Sequence, residues 1–199
     1  MPRDLLIGCG SRRNRVINLR RNEWAELVTL DNVASHKPDV LFDLERIGEP
    51  TPELDLEIPE AYFQKSSDEP TRLPFTDDEF DELHAYEVLE HIGRQGDAPK
   101  LFAQFSEFWR VLEPGGLLCA SCPSWASMWA WGDPSHTRII SPGTLVFLSQ
   151  AEYTKQIGKT AMSDFRHIYR ADFEPRLVQD DGQQFFFALE AIKPSRISV

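Results

Sequence analysis

The feature that most limits the fold of this chain is a series of short apolar runs set apart by polar, glycine-bearing or proline-bearing stretches. They are 4–8 (DLLIG), 27–31 (LVTLD), 39–44 (DVLFDL), 80–86 (FDELHAY) and 117–123 (LLCASCP). Each is of strand length, and helix-like segments lie between several of them, which is the rhythm of a parallel α/β sheet. The clearest helix is 97–116, DAPKLFAQFSEFWRVLEPGG. There Leu101, Phe102, Phe105, Phe108, Trp109 and Leu112 form one stripe, Asp97 caps the start and Pro114-Gly115-Gly116 stops it. Between the first two runs, SRRNRVINLRRNEWAEL brings Val16, Leu19, Trp24 and Leu27 to one helical face. The C-terminal FEPRLVQDDGQQFFFALEAIK reads as a hairpin turning at DDGQ. The expected fold is therefore Rossmann-like and doubly wound, a mostly parallel sheet with an antiparallel C-terminal hairpin in three α/β/α layers. All 199 residues are read as one domain. Segment 45–72 breaks the rhythm with eight acids, three bases and four prolines, and reads as an acidic surface insertion.

Composition excludes several function classes. The formal charge of −11 argues against broad nucleic-acid binding, which depends on Lys and Arg neutralising phosphates. No run approaches the roughly 20 apolar residues that span a bilayer, and the N-terminus lacks a signal-peptide pattern, so a cytoplasmic protein is expected. Cys9, Cys119 and Cys122 make no disulfide framework. The C-x-x-C pair lies within a strand-like run, where residues three apart face opposite ways, so it is not expected to bind metal. The scattered histidines show no metal-ligand spacing either, and no metal is expected. The arginines at 12, 13, 15, 20 and 21 read as a solvated helix face rather than a phosphate platform.

Gly8-Cys9-Gly10 ends the first run, and Asp31, 21 residues beyond Gly10, ends the second. In a doubly wound sheet this spacing sets a glycine turn beside a carboxylate that can accept from two ribose hydroxyls. Arg13 stands where a dinucleotide fingerprint would place its third glycine, which counts against NAD.

Taken in order, LLIGCG, VTLDN, PDVLFDL, LPFTDDEFDELHAYEVLEHI, FWRVLEPGGLL and GDPSHTRIISPGTLVFL resemble class I S-adenosylmethionine-dependent methyltransferases, particularly the methyltransferase domain 11-like group. The resemblance implies S-adenosyl-L-methionine as cofactor and S-adenosyl-L-homocysteine as product. It places Gly8, Cys9 and Gly10 along the methionine part and Asp31 on the ribose hydroxyls. Asn32 would lie beside the adenine, Asp43 and Leu44 at the ring edge, and Tyr86 and Glu87 toward the sulfonium. Leu6 departs from the pattern, since many relatives carry an acid there near the cofactor's ammonium group.

Methyl transfer is an in-line displacement governed mainly by positioning, with a base needed only when the acceptor must lose a proton. His91 and His136 are the candidate bases, with Glu87 behind them. Trp125, Trp129 and Trp131 either stack a planar acceptor or pack their loop, and Arg138 either holds an anionic group or pairs with Asp133. The signatures of base amino-methylation and cytosine carbon-5 chemistry are absent. The reading is a methyltransferase for a small or medium-sized acceptor, with neither membrane nor nucleic acid as partner. The alternatives are a catalytically inactive methyltransferase-fold binding or regulatory subunit and, less favoured, an NAD-dependent oxidoreductase.

Overall fold

A computed structural model describes residues 1–49 and 71–197, so most of the acidic insertion lies outside the described residues. The strands are β1 (Arg3–Ile7), β2 (Glu26–Asp31), β3 (Val40–Leu41), β4 (Phe80–Tyr86), β5 (Leu112–Pro123), β6 (Phe173–Asp180) and β7 (Gln184–Ala191). They form one seven-stranded sheet in the order β3-β2-β1-β4-β5-β7-β6. The first five are parallel to one another, whereas β7 runs antiparallel to β5 and to β6. The chain winds outward from β1 to β3, then restarts on the other side of β1 with β4. That reversal opens a crevice at the carboxyl ends of β1 and β4, where ligands of open α/β sheets bind. Helices α1 (Ala98–Val111), α2 (Met128–Gly132), α3 (Pro142–Val146) and α4 (Gln150–Gln156) complete the elements used below. None of the described helices is long and apolar enough to cross a membrane.

β3 is shorter than the run 39–44 suggests because its flanking acids bond to neighbouring backbone. Asp39 Oδ2 accepts from Thr29 N–H (2.8 Å), and Asp43 caps the next turn by accepting from Glu45 N–H (3.0 Å). α1 follows its sequence pattern: Asp97 accepts from Lys100 N–H, and Phe102, Phe105 and Phe108 are buried against the sheet. Each such side chain contributes about 1.5–3 kcal/mol by leaving water. The Pro-Gly-Gly stop is not used; the helix ends at Val111, and Leu112 opens β5 directly. On α1, Arg110 binds Glu107, Asp77 and the carbonyls of Leu73 and Phe75, which ties the LPF segment to the helix.

The largest departure lies between β1 and β2, where the described chain is an irregular loop and not a helix. Val16 and Leu19, assigned to a buried stripe, are exposed. Arg12 and Arg13 are exposed, but the other three arginines of this stretch turn to acids of the sheet. Arg15, 3% exposed in its side chain, pairs with Asp4 (3.1 Å) and Glu82, both wholly buried on one sheet face. Arg20 and Arg21 pair with Asp81. A helix fixes side-chain directions at its own period, whereas a loop can send Arg15, Arg20 and Arg21 to acids on neighbouring strands. Beside them, burial pushes the His84 imidazole below its ordinary pKa despite its bond to Glu82 (2.9 Å).

The cysteines behave as the strand period requires. Cys122 joins the main core beneath α1, and Cys119 joins a small cluster with Ile17, Leu117 and Ala188 on the other face. All three thiols are free and buried.

Candidate functional site

Two cavities flank the carboxyl ends of the central strands. The first, of about 450 Å³, is lined by Gly8, Gly10, Asp31, Asn32, Asp43, Leu44 and His91, among others. It is within the size range of small-ligand pockets. Gly8 and Gly10 both adopt positive φ, 59° and 53°. A Cβ on Gly8 would lie 2.5 Å from Val88 Cγ2, whereas one on Gly10 would meet nothing within 4 Å. The first glycine therefore lets the turn pack against the segment after β4, and the second leaves bare backbone with open space before it.

Asp31 closes the turn from the neighbouring strand. Its Oδ2 accepts from Gly10 N–H and its Oδ1 from Val33 N–H, both at 2.8 Å, and His36 Nδ1 lies 3.2 Å from Oδ2. Burial works to raise this carboxyl, but the two N–H groups and the imidazole outweigh it, so its pKa lies below the ordinary value. It is held ionised with acceptor capacity to spare, since a carboxylate offers about four lone-pair sites. Val33, Phe42, Leu44, Val88 and Ile92 supply apolar walls.

The second cavity, of about 360 Å³, is lined by Glu87, Pro123, Trp129, Asp133, His136, Gln183 and Gln184. Glu87 has a φ of 53°, unusual for a non-glycine residue, and such conformations cluster at functional sites. Its N–H donates to the Ser121 carbonyl (2.9 Å), and Ser121 Oγ donates to its carboxylate (2.7 Å). His91, on the first cavity, and His136, on the second, meet edge to face with ring centroids 4.8 Å apart. The cavities are thus separated by little more than two imidazole rings. Each ring is oriented by a main-chain carbonyl: His91 Nδ1 lies 3.2 Å from Ser135 O, and His136 Nδ1 lies 2.9 Å from Trp129 O. A carbonyl can only accept, so each Nδ1 is the donor and Nε2 is the ring nitrogen left to bind a ligand. Between them, Glu90 is buried, and burial pushes its carboxyl up to about 8.

Some expected residues fall elsewhere. Cys9 is buried at the turn and does not line the cavity; burial and the nearby Asp31 raise its thiol. Tyr86 does not line the first cavity either. Its hydroxyl accepts from Ile17 N–H (3.0 Å) and contacts His84 Nδ1 (2.6 Å) on the arginine-loop side. Strand alternation was the available signal, because Glu82, His84 and Tyr86 must share one face of β4. Arg138 does not pair with Asp133. It is buried, donating to Gln104 (3.0 Å) and to the carbonyls of Arg94 and Asp97 (3.3 and 3.4 Å), so it braces the entry to α1. Trp129 lines the second cavity. Trp125 and Trp131 stand on the surface, joined by a bond from Trp131 Nε1 to the Trp125 carbonyl (2.9 Å). Val88, Ile92, His36 and Glu90 were not singled out from sequence, although Val88, Glu90 and Ile92 fall within the EVLEHI motif.

The family model Methyltransf_11, described as a methyltransferase domain, matches residues 5–120. No curated protein sequence gives a significant match. Among solved structures, the chain is similar to a SAM-dependent methyltransferase from Archaeoglobus fulgidus (17% identity, TM-score 0.52), covering 95% of this chain and 86% of that one. It is also similar to an S-adenosylmethionine-dependent methyltransferase from Mesorhizobium loti, with 12% identity, a TM-score of 0.47 and coverage of 94% and 90%. A third is the N-methyltransferase NodS from Bradyrhizobium japonicum WM9, solved with S-adenosyl-L-homocysteine, with 13% identity, a TM-score of 0.44 and coverage of 96% and 78%.

Proposed function

The chain belongs to the Methyltransf_11 methyltransferase-domain family, and we propose that, as a class I enzyme using S-adenosyl-L-methionine, it methylates a small or medium-sized acceptor held in the second cavity. The observation that carries this reading is the pairing of the two cavities across the His91–His136 contact, one suited to the methyl donor and the other adjoining it. The fit to the donor rests on chemistry present in the fold. Asp31 has an ionised carboxylate for vicinal hydroxyls, Gly10 leaves backbone accessible, and Phe42, Leu44 and Val33 offer flat apolar walls near Asn32 and Asp43. When bound, the cofactor supplies a sulfonium methyl group whose C–S electron pair returns to sulfur as the acceptor's lone pair takes the carbon.

The chain's own part is to orient and to manage a proton. The backbone bonds from Gly10 and Val33 fix the Asp31 carboxylate, and Val88 packed on Gly8 fixes the turn. Where an acceptor must shed a proton, Glu87 and His136 line the acceptor cavity and His91 lines the donor side. Trp129 offers an aromatic surface for a planar acceptor. The single continuous sheet supports reading residues 1–199 as one domain. Calorimetric titration with S-adenosylmethionine, S-adenosylhomocysteine and NAD tests the reading. Binding of the first two without the third is expected, and a folded protein that ignores both adenosyl ligands would sink it. An acceptor panel then separates an enzyme from an inactive binding subunit.

A further inference from the structure

Glu90 presents a problem that the methyltransferase reading does not resolve. Its side chain is 3% exposed, and neither carboxylate oxygen has a hydrogen-bond partner among the described residues. Its main-chain carbonyl, by contrast, accepts from both Thr137 N–H (2.9 Å) and Arg138 N–H (3.1 Å). The fold thus clamps the segment carrying Glu90 and His91 to the loop carrying His136, while leaving a buried carboxylate bare. A buried acid without partners is costly unless it is neutralised or meets a cation.

The surroundings favour a cation. One carboxylate oxygen of Glu90 and one ring nitrogen each of His91 and His136 lie within 4.8 Å of one another. His91 Nε2 is 4.0 Å from Glu90 Oε1, and His136 Nε2 is 3.9 Å from Asp133 Oδ2. Both rings donate Nδ1–H to a main-chain carbonyl, the outer-shell arrangement that orients a metal-ligating histidine and makes Nε2 the ligand atom. A second group of similar composition, the wholly buried Glu82, His84 and Cys119, differs in this respect. There Glu82 binds Arg15, and His84 uses both ring nitrogens on Glu82 and Tyr86.

We propose that Glu90, His91 and His136 bind a single divalent transition-metal ion between the two cavities. Two imidazoles and one carboxylate suit zinc, cobalt or iron better than magnesium or calcium, which prefer all-oxygen sites. Metal–ligand bonds of about 2.0–2.2 Å bring ligand atoms to roughly 3.4 Å apart, so binding draws these side chains in by about an ångström. Three protein ligands leave coordination positions for an acceptor hydroxyl, whose pKa a bound cation lowers. Glu87 then remains to take the proton, since the imidazole lone pairs are committed to the metal. This role toward the acceptor rests on the methyltransferase reading, whereas the binding itself does not.

The test uses tag-free full-length protein, stripped with chelator and titrated with Co²⁺, followed by calorimetry and by ligand-field absorption. One equivalent should bind with a visible spectrum, and Glu90→Gln and His136→Asn should each weaken binding tenfold or more. Metal-free Glu90→Gln should melt no lower than the wild type, because the substitution removes a bare buried acid; this separates loss of ligand from loss of fold. Absence of Co²⁺ binding, or unchanged affinity in both variants, overturns the site. Neither outcome depends on adenosyl-ligand binding, which is measured separately on the same samples.

Discussion

Replacing Asp31 with asparagine perturbs the donor cavity at one point and leaves its volume nearly unchanged. Both carboxylate oxygens accept from backbone N–H groups at 2.8 Å, Gly10 on Oδ2 and Val33 on Oδ1. An asparagine has only one carbonyl oxygen, so its amide N–H₂ must oppose one of those donors. An unsatisfied buried donor costs about 1–3 kcal/mol in the free protein. Toward a ribose diol, at least one hydrogen bond to an ionised acceptor is lost, about 1.5–3 kcal/mol, or roughly 10- to 150-fold in Kd. Calorimetry with S-adenosylmethionine and S-adenosylhomocysteine on both proteins measures the loss, and thermal melts measure the cost to the fold. The sign with pH also follows. The Asp31 carboxyl is held below its ordinary value in the folded state. Its stabilisation is therefore complete above the unfolded pKa of about 3.9 and is lost as pH falls through the lower folded value. The difference in Tm between wild type and variant should narrow only below about pH 4. A folded Asp31→Asn protein that binds both ligands at full affinity would show that this carboxylate does not hold the ribose.

The other predictions concern the scaffold. Arg15→Met removes the closest cation from the buried Asp4 and Glu82 carboxylates and should cost about 3–5 kcal/mol in urea unfolding, with partial recovery on adding Glu82→Gln; an unchanged midpoint refutes the inward arginine loop. Gly8→Ala meets both a positive φ and Val88, so it should lose about 1–2 kcal/mol from conformation alone. Val88→Ala should then relieve only the contact part, and full rescue would show that backbone conformation is not limiting. Phe105→Ala, on the buried face of α1, should cost about 3–5 kcal/mol, and a melt shifted by only a degree or two would contradict the assigned core.

Strands and the long helix were legible because their burial patterns repeat locally. The FDELHAY run coincides with β4, and Phe102, Phe105 and Phe108 are buried as their spacing requires. The β1–β2 connection was not legible, because Val16 and Leu19 mimic an amphipathic stripe. What decides its path is the pairing of Arg15 with Glu82 and of Arg20 with Asp81, across 67 and 61 residues. That Gly8, Gly10 and Asp31 line one cavity was legible from glycine spacing and an acid at a strand end. The other half of the site depends on His136 being carried 45 positions from His91 to ring contact, a proximity that only the folded loop after β5 creates. Glu90 looked like an ordinary motif acid until its burial exposed the missing partners.

The loop that replaces a helix after β1 also sets the electrostatic character of the donor cavity. A helix beginning at Gly10 would aim roughly half a positive charge and its free N–H groups at the ligand, which attracts phosphate and repels cations. Here the turn opens into irregular chain whose Arg15 charge is absorbed by Asp4 and Glu82, while the ionised Asp31 stands at the rim. The field at the glycine turn is thus freed of the helix-end term that a pyrophosphate needs. On the proposed function, discrimination between a sulfonium nucleoside and a dinucleotide would rest on what this connection omits as well as on what the cavity contains.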